Sequence, residues 1–242
     1  MAAHPAKSYQ SELNSLDTMV AQMGGLAEQA LGQAIDALCH SDPELAEATL
    51  ENDRAIDRLE RLVDDLAISI IARRAPIASD LRQIVTAIRI AVELERIGDL
   101  AKNIAKRAIT IASESHPKRV MNGFAHIGQA VLRQLKDVLD AYSQRNAEAA
   151  LKVWQRDQEI DAMYNSLYTE LLTTMMDEPQ SVGLYAHLLF SAKNLERAGD
   201  HATNIAETVY FLMHGKALSE ERPKSDVTSR TLILGQGGAG KS

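Results

Sequence analysis

Leu94-Glu95-Arg96-Ile97-Gly98-Asp99-Leu100-Ala101-Lys102-Asn103-Ile104-Ala105-Lys106 returns as Leu195-Glu196-Arg197-Ala198-Gly199-Asp200-His201-Ala202-Thr203-Asn204-Ile205-Ala206-Glu207, nine of thirteen positions identical at an offset of 101. In both copies Glu, Asp and Asn fall at i, i+4 and i+8. On an α-helix that spacing lines three oxygen-bearing side chains along one face. Two copies at a fixed offset predict an internal repeat of about a hundred residues, built of helices long enough to carry such a face.

Working outward, the six prolines mark where helical patterns start and stop: Pro5, Pro43, Pro76, Pro117, Pro179 and Pro223. Proline suits a first helical turn and breaks an interior. Helix one is expected from about Ser8 to Leu38. Asp42-Pro43 caps and opens helix two, which reaches Arg73 with a seam of Ile56, Leu59, Val63, Leu66 and Ile70. Helix three starts near Pro76 and ends near Ser113, with Leu81, Val85, Ile88 and Val92 as its stripe. Helix four covers Lys118 to Ser143. Asn146 caps helix five, which runs to about Met176 on Ile160, Tyr164, Leu167 and Leu171. Helix six follows Pro179 and ends at His214-Gly215. The fold class is therefore all-α, two tandem three-helix bundles of six long helices: residues 1–116, then 117–215, then a polar, glycine-rich tail over 216–242 that is expected to be poorly ordered.

The preceding helix of each half answers the motif with a second acidic pair. Asp53 and Asp57 accompany Glu95 and Asp99, and Asp157 and Asp161 accompany Glu196 and Asp200. Like charges at i, i+4 destabilise a helix by roughly 0.2–0.5 kcal/mol per pair, yet the arrangement occurs four times. Glu95 and Asp99 continue the stripe of helix three, and Asp53 and Asp157 precede Ile56 and Ile160 by three residues. That places carboxylates on faces turned toward a neighbouring helix, where each needs a counter-ion or a raised pKa. In helix six Lys193 interrupts the stripe at the position of Val92. The plain alternative is a solvated face, neutralised by Arg54, Arg58, Arg96 and Arg197. Gly98 and Gly199 admit either a close helix or a ligand. An all-oxygen donor set suits Mg²⁺, Mn²⁺, Ca²⁺ or oxygen-ligated iron better than zinc or copper. The metal-site candidates are Asp53, Asp57, Glu95, Asp99 and Asn103 in one half, and Asp157, Asp161, Glu196, Asp200 and Asn204 in the other.

A net charge of −7 leaves no basic face for nucleic acid. Cys39 stands alone, which excludes an internal disulfide and fits a reducing compartment. The first ten residues lack the apolar core of a signal peptide, and no run approaches the roughly 18 apolar residues of a membrane span. A cytoplasmic chain is expected.

The doubled Glu-Arg-x-Gly-Asp-x-x-x-Asn element, the preceding Asp-x-x-x-Asp, and Arg73-Arg74-Ala75-Pro76-Ile77-Ala78-Ser79-Asp80-Leu81-Arg82 resemble the PhoU phosphate-signalling regulators, over about Ser8 to Gly215. The resemblance implies two similar three-helix bundles whose acidic motifs bind metal ions, sometimes as multinuclear clusters. It also implies a non-enzymatic negative regulator of phosphate uptake and starvation signalling. Such a regulator links a phosphate ABC transporter ATPase to a membrane sensor histidine kinase, peripheral to the membrane through those partners. A homodimer is compatible with this reading. The second half lacks counterparts of Arg73-Arg74 and of the Asp80–Arg82 pair.

Gly235-Gln236-Gly237-Gly238-Ala239-Gly240-Lys241-Ser242 matches the phosphate-cradling pattern G-x-x-x-x-G-K-[ST], but no helix follows to face a phosphate, so nucleotide hydrolysis is not expected. A carboxylate-bridged di-iron enzyme would use Glu-x-x-His, and none of the seven histidines lies three residues after a Glu. His201 and Cys39 are expected to be structural, Trp154 and Tyr164 to be core anchors. A metal-free helical adaptor is the other alternative.

Overall fold

The structure is a computed structural model that describes residues 5–115, 117–219 and 222. Three long helices build the first repeat: α1 (Pro5–His40), α2 (Pro43–Arg74) and α3 (Ala78–Ile111). The second comprises α4 (Lys118–Ser143), α5 (Ala147–Gln155), α6 (Asp157–Asp177) and, after a single 3₁₀ turn at Pro179–Ser181, α7 (Val182–His214). Among the described residues there is no strand, and no helix is long and apolar enough to cross a membrane.

The repeat extends to its turns. Asp42 Oδ1 accepts from the Leu45 amide and Asn146 Oδ1 from the Ala149 amide, each at 3.0 Å, capping α2 and α5 at an offset of 104. The residue before each cap is left-handed, Ser41 at φ 54° and Arg145 at φ 53°. A non-glycine residue there costs on the order of 1 kcal/mol, so the same turn is imposed twice by the packing of the helices it joins.

The expected fifth helix is two. Arg156 donates its amide to the carbonyls of Lys152 and Val153, closing α5 as a tight turn, and the chain restarts as α6 at Asp157. No glycine or proline marks this break. Its effect is to set Asp157 in the first turn of α6, where free backbone amides favour a carboxylate.

The stripe expected on helix three is also displaced. Leu81 and Val92 are exposed and Val85 and Ile88 lie at the margin, whereas Ile84, Ala87, Ala91, Leu94, Ile97, Ala101 and Ile104 are buried. The true stripe holds three alanines, small side chains on the buried face of α3, which packs against α1, α2 and α7. A search for large aliphatic residues passes over them. The seams of helices two and five fare better: Ile56, Val63 and Ile70, and Ile160, Tyr164, Leu167 and Leu171, are buried.

The repeats pack through α3 against α7 and α1 against α4. Between α1 and α4 each helix offers a glycine to the other. A Cβ on Gly24 would stand 2.8 Å from Leu139 Cδ2, and one on Gly128 2.8 Å from Ile35 Cγ2. Asp17 of α1 ties this joint, accepting from Tyr142 Oη at 2.6 Å, Arg145 Nη2 at 2.7 Å and Gln83 Nε2 at 3.0 Å. Trp154 is buried and donates its indole N–H to Glu207 at 3.0 Å, fastening α5 to α7.

Candidate functional site

In the first repeat, α2 supplies Asp53, only 6% exposed, one turn before Ile56. Across from it α3 carries Gly98, where a Cβ would come within 2.9 Å of Ile56 Cδ1. Gly199 repeats this against Ile160 at 3.2 Å. The motif glycines therefore serve close helix packing. That approach brings the carboxylates of α2 beside those of α3.

Lys102 bridges the two helices. Its ammonium donates to Asp53 and stands 3.4 Å from Asp99 Oδ1. The hydrogen bond to Asp53 is the main cause holding the ammonium pKa above its ordinary value. The remaining carboxylates are less well matched. Burial first, then Asp99, Glu60 and Asp57, push the Glu95 pKa up against the pull of Arg96, whose Nε lies 3.5 Å away. Burial, Asp64 and Asp57 raise Glu60 likewise. Asp57 is half-buried and Asn103 is exposed.

The second repeat is more enclosed. Asp157 and Asp161 are each 2% exposed and Glu196 3%. Asp157 receives a two-pronged guanidinium from Arg222, Nε to Oδ2 and Nη2 to Oδ1, both at 2.8 Å. The same Nη2 lies 2.6 Å from Asp200 Oδ1. Thr203, at the position of Lys102, donates to Asp157 Oδ1 at 2.9 Å and accepts from Gln134 Nε2 at 2.7 Å. Glu196 pairs with Lys193 at 2.8 Å, and the Lys193 ammonium sits 5.0 Å above the Tyr164 ring. Asn204 turns to the other repeat, donating to Glu93 at 3.1 Å beside His201, whose Nδ1 is 2.6 Å from the same carboxylate.

The main counter-ions of the acidic motifs are not the arginines adjacent in sequence, although Arg96 reaches Glu95 at 3.5 Å. Arg54, Arg58, Arg96 and Arg197 are exposed. The counter-ions are Lys102 in the first repeat, Lys193 and Arg222 in the second. Lys102 lay inside the motif, and its signal was that positions 102 and 203 differ amid identities. Lys193 showed only as a blemish in a stripe. Arg222 was unreadable, because nothing local says that a polar residue beyond the last helix folds back.

Among the described residues no three His, Cys, Asp or Glu side chains gather round one point as ligands. In donor chemistry the first repeat fits a hard divalent cation, since burial, and after it the neighbouring carboxylates, raise the pKa values of Glu95 and Glu60. The second does not fit with Arg222 seated in it. Nucleophilic chemistry has no foothold at Cys39, whose thiol is pushed up to about 11 by burial and by Asp36. The glycine-rich phosphate-loop match at 235–242 lies outside the described residues.

Comparison with known proteins converges on one family. A family model described as "PhoU domain" matches residues 20–108 and again 124–209. The phosphate-specific transport system accessory protein PhoU homolog of Rhizobium meliloti (strain 1021) is 48% identical over 227 residues, spanning 94% of this chain and 96% of that one. The homolog of Caulobacter vibrioides (strain NA1000 / CB15N) is 44% identical over 230 residues, 95% of this chain and 100% of its own. The crystal structure of PhoU from Pseudomonas aeruginosa superposes with a TM-score of 0.83 at 38% identity, covering 86% of this chain and all of that one. The phosphate transport system regulatory protein PhoU from Streptococcus pneumoniae gives 0.80 at 26% identity, with 88% of this chain and 100% of its own covered. With both repeats matched and the helices superposed, the chain belongs to the PhoU family.

Proposed function

We propose that this chain is a negative regulator of phosphate uptake and of phosphate-starvation signalling. In this reading it is an adaptor between a phosphate ABC transporter ATPase and a sensor histidine kinase, working at the cytoplasmic face of the membrane without entering it. The observation that carries the reading is the family match across both repeats and nearly the whole length of its relatives. Deletion of the protein is expected to derepress a phosphate-starvation reporter in high phosphate, and the intact chain to restore repression. Unchanged reporter output in the deletion strain overturns it. Recovery of the transporter ATPase and the sensor kinase with the tagged chain tests the adaptor role separately.

The cation reading belongs here too, and it favours the first repeat. Asp57, Glu60, Glu95 and Asp99 would hold a divalent ion, Mg²⁺, Mn²⁺, Ca²⁺ or Fe²⁺, and the ion would offset the burial and the mutual repulsion that together raise Glu95 and Glu60. Lys102 keeps Asp53 and bridges α2 and α3. Metal analysis of the purified chain beside Asp99→Ala and Asp200→Ala is expected to show loss in the first variant. Equal, negligible binding in all three leaves a metal-free helical adaptor with its phosphate role intact.

A further inference from the structure

The two repeats neutralise the same carboxylate pair with cations from different places. In the first, Lys102 rises from α3 itself, seven residues after Glu95. In the second, that position is Thr203, which can donate one hydrogen bond to Asp157 but carries no charge. The volume a lysine would occupy is filled differently as well. Gln134 of α4 reaches Thr203 at 2.7 Å. At the cap-defined offset of 104, its counterpart in α1 is the buried Ala30.

The missing charge comes from beyond the last helix. α7 ends at His214, Gly215 turns the chain in the left-handed conformation at φ 70°, and Leu218 packs on the core. Arg222 then enters between α6 and α7. Its side chain is 15% exposed, and it makes a fork on Asp157 and a third contact to Asp200. A planar guanidinium with two parallel bonds to one carboxylate is the strongest ion-pair geometry a side chain offers.

We propose that Arg222 is a tethered counter-ion that closes the second-repeat carboxylate site to external cations, so that this site admits a divalent ion only when Arg222 withdraws. The first repeat has its cation built into α3, with no such gate among the described residues. The two halves of a duplicated fold thereby acquire different responses to metal. The exclusion half of the proposal rests on the reading that these carboxylates accept a divalent ion, whereas the counter-ion half rests on geometry alone.

The test uses the full chain, Mn²⁺ as probe and two readouts: melting temperature in EDTA, and bound Mn²⁺ counted from the free-ion electron paramagnetic resonance signal. Arg222→Ala is expected to melt about 3–6 °C lower in EDTA and to bind one more equivalent of Mn²⁺ than the parent, the added equivalent vanishing in Arg222→Ala/Asp200→Ala. Arg222→Lys, which keeps the charge, should bind like the parent. Moving the cation to its first-repeat position, in Thr203→Lys/Gln134→Ala/Arg222→Ala, should recover the lost melting temperature. An Arg222→Ala protein that melts and binds Mn²⁺ like the parent overturns the proposal. A lowered melting temperature with no added Mn²⁺, while the parent binds the ion, overturns the exclusion of cations. If neither protein binds Mn²⁺, the cation reading itself fails, and the melting shift still decides whether Arg222 is the counter-ion.

Discussion

Lys102 shows how little separates a stable acidic motif from an unstable one. Its ammonium serves a nearly buried Asp53 and, more loosely, Asp99. Lys102→Ala would strand a buried carboxylate, and breaking such a pair costs about 3 kcal/mol, to be read from urea unfolding at pH 7. Lys102→Met should cost nearly as much, because charge rather than bulk is lost. Glu95 behaves oppositely. Its pKa is raised above the ordinary 4.5, so the folded chain keeps that proton longer than the unfolded chain. The stabilisation is complete below about pH 4.5 and is lost as pH rises through the raised value. Glu95→Gln should therefore melt about 1–2 °C above the parent at pH 7, and the gap should close at pH 4. A gap that persists at pH 4 would mean that the gain comes from packing instead of charge.

Among the elements, α2 and α3 are held at a distance fixed by Gly98 and Ile56. Gly98→Ala gains about 1 kcal/mol of helix propensity but drives a methyl to 2.9 Å from Ile56 Cδ1. Since that atom ends a flexible side chain, the single variant should fall within about 1 kcal/mol of the parent. Ile56→Val alone loses about 0.5–1.5 kcal/mol. The double variant should be more stable than the sum of the singles, a coupling that a double-mutant cycle measures directly. Much at this level was legible beforehand. The proline marks, the Asp42 and Asn146 caps, and the bounds of α4 follow from rules about single residues and their immediate neighbours. The stripe of α3 did not, because alanine earns its place from what packs on it. Nor did the break at Arg156, where no residue with unusual backbone preferences announces the turn. Both depend on neighbours that are remote in the chain.

At the scale of the whole molecule, the repeats are joined by a polar knot as well as by apolar packing. Asp17 gathers Tyr142, Arg145 and Gln83, and Glu93 gathers His201 and Asn204 across α3 and α7. Asp17→Ala should cost about 1.5–3 kcal/mol and loosen the α1–α4 joint, so that urea unfolding broadens or separates into two steps where the parent shows one. The placing of Asn204 at this joint, away from Asp157, could not be foreseen from a motif that looks identical in both repeats. An i+8 residue can face a neighbour quite unlike the one its first copy faces. Distinguishing the halves experimentally is made simple by the chain's single tryptophan. Trp154, sealed in the second repeat with its indole proton on Glu207, gives a fluorescence signal native to that half. Its emission should redden when α5 parts from α7 and stay constant while the first repeat melts. Set against circular dichroism, which sums every helix, it provides a label-free optical clock for which half lets go first.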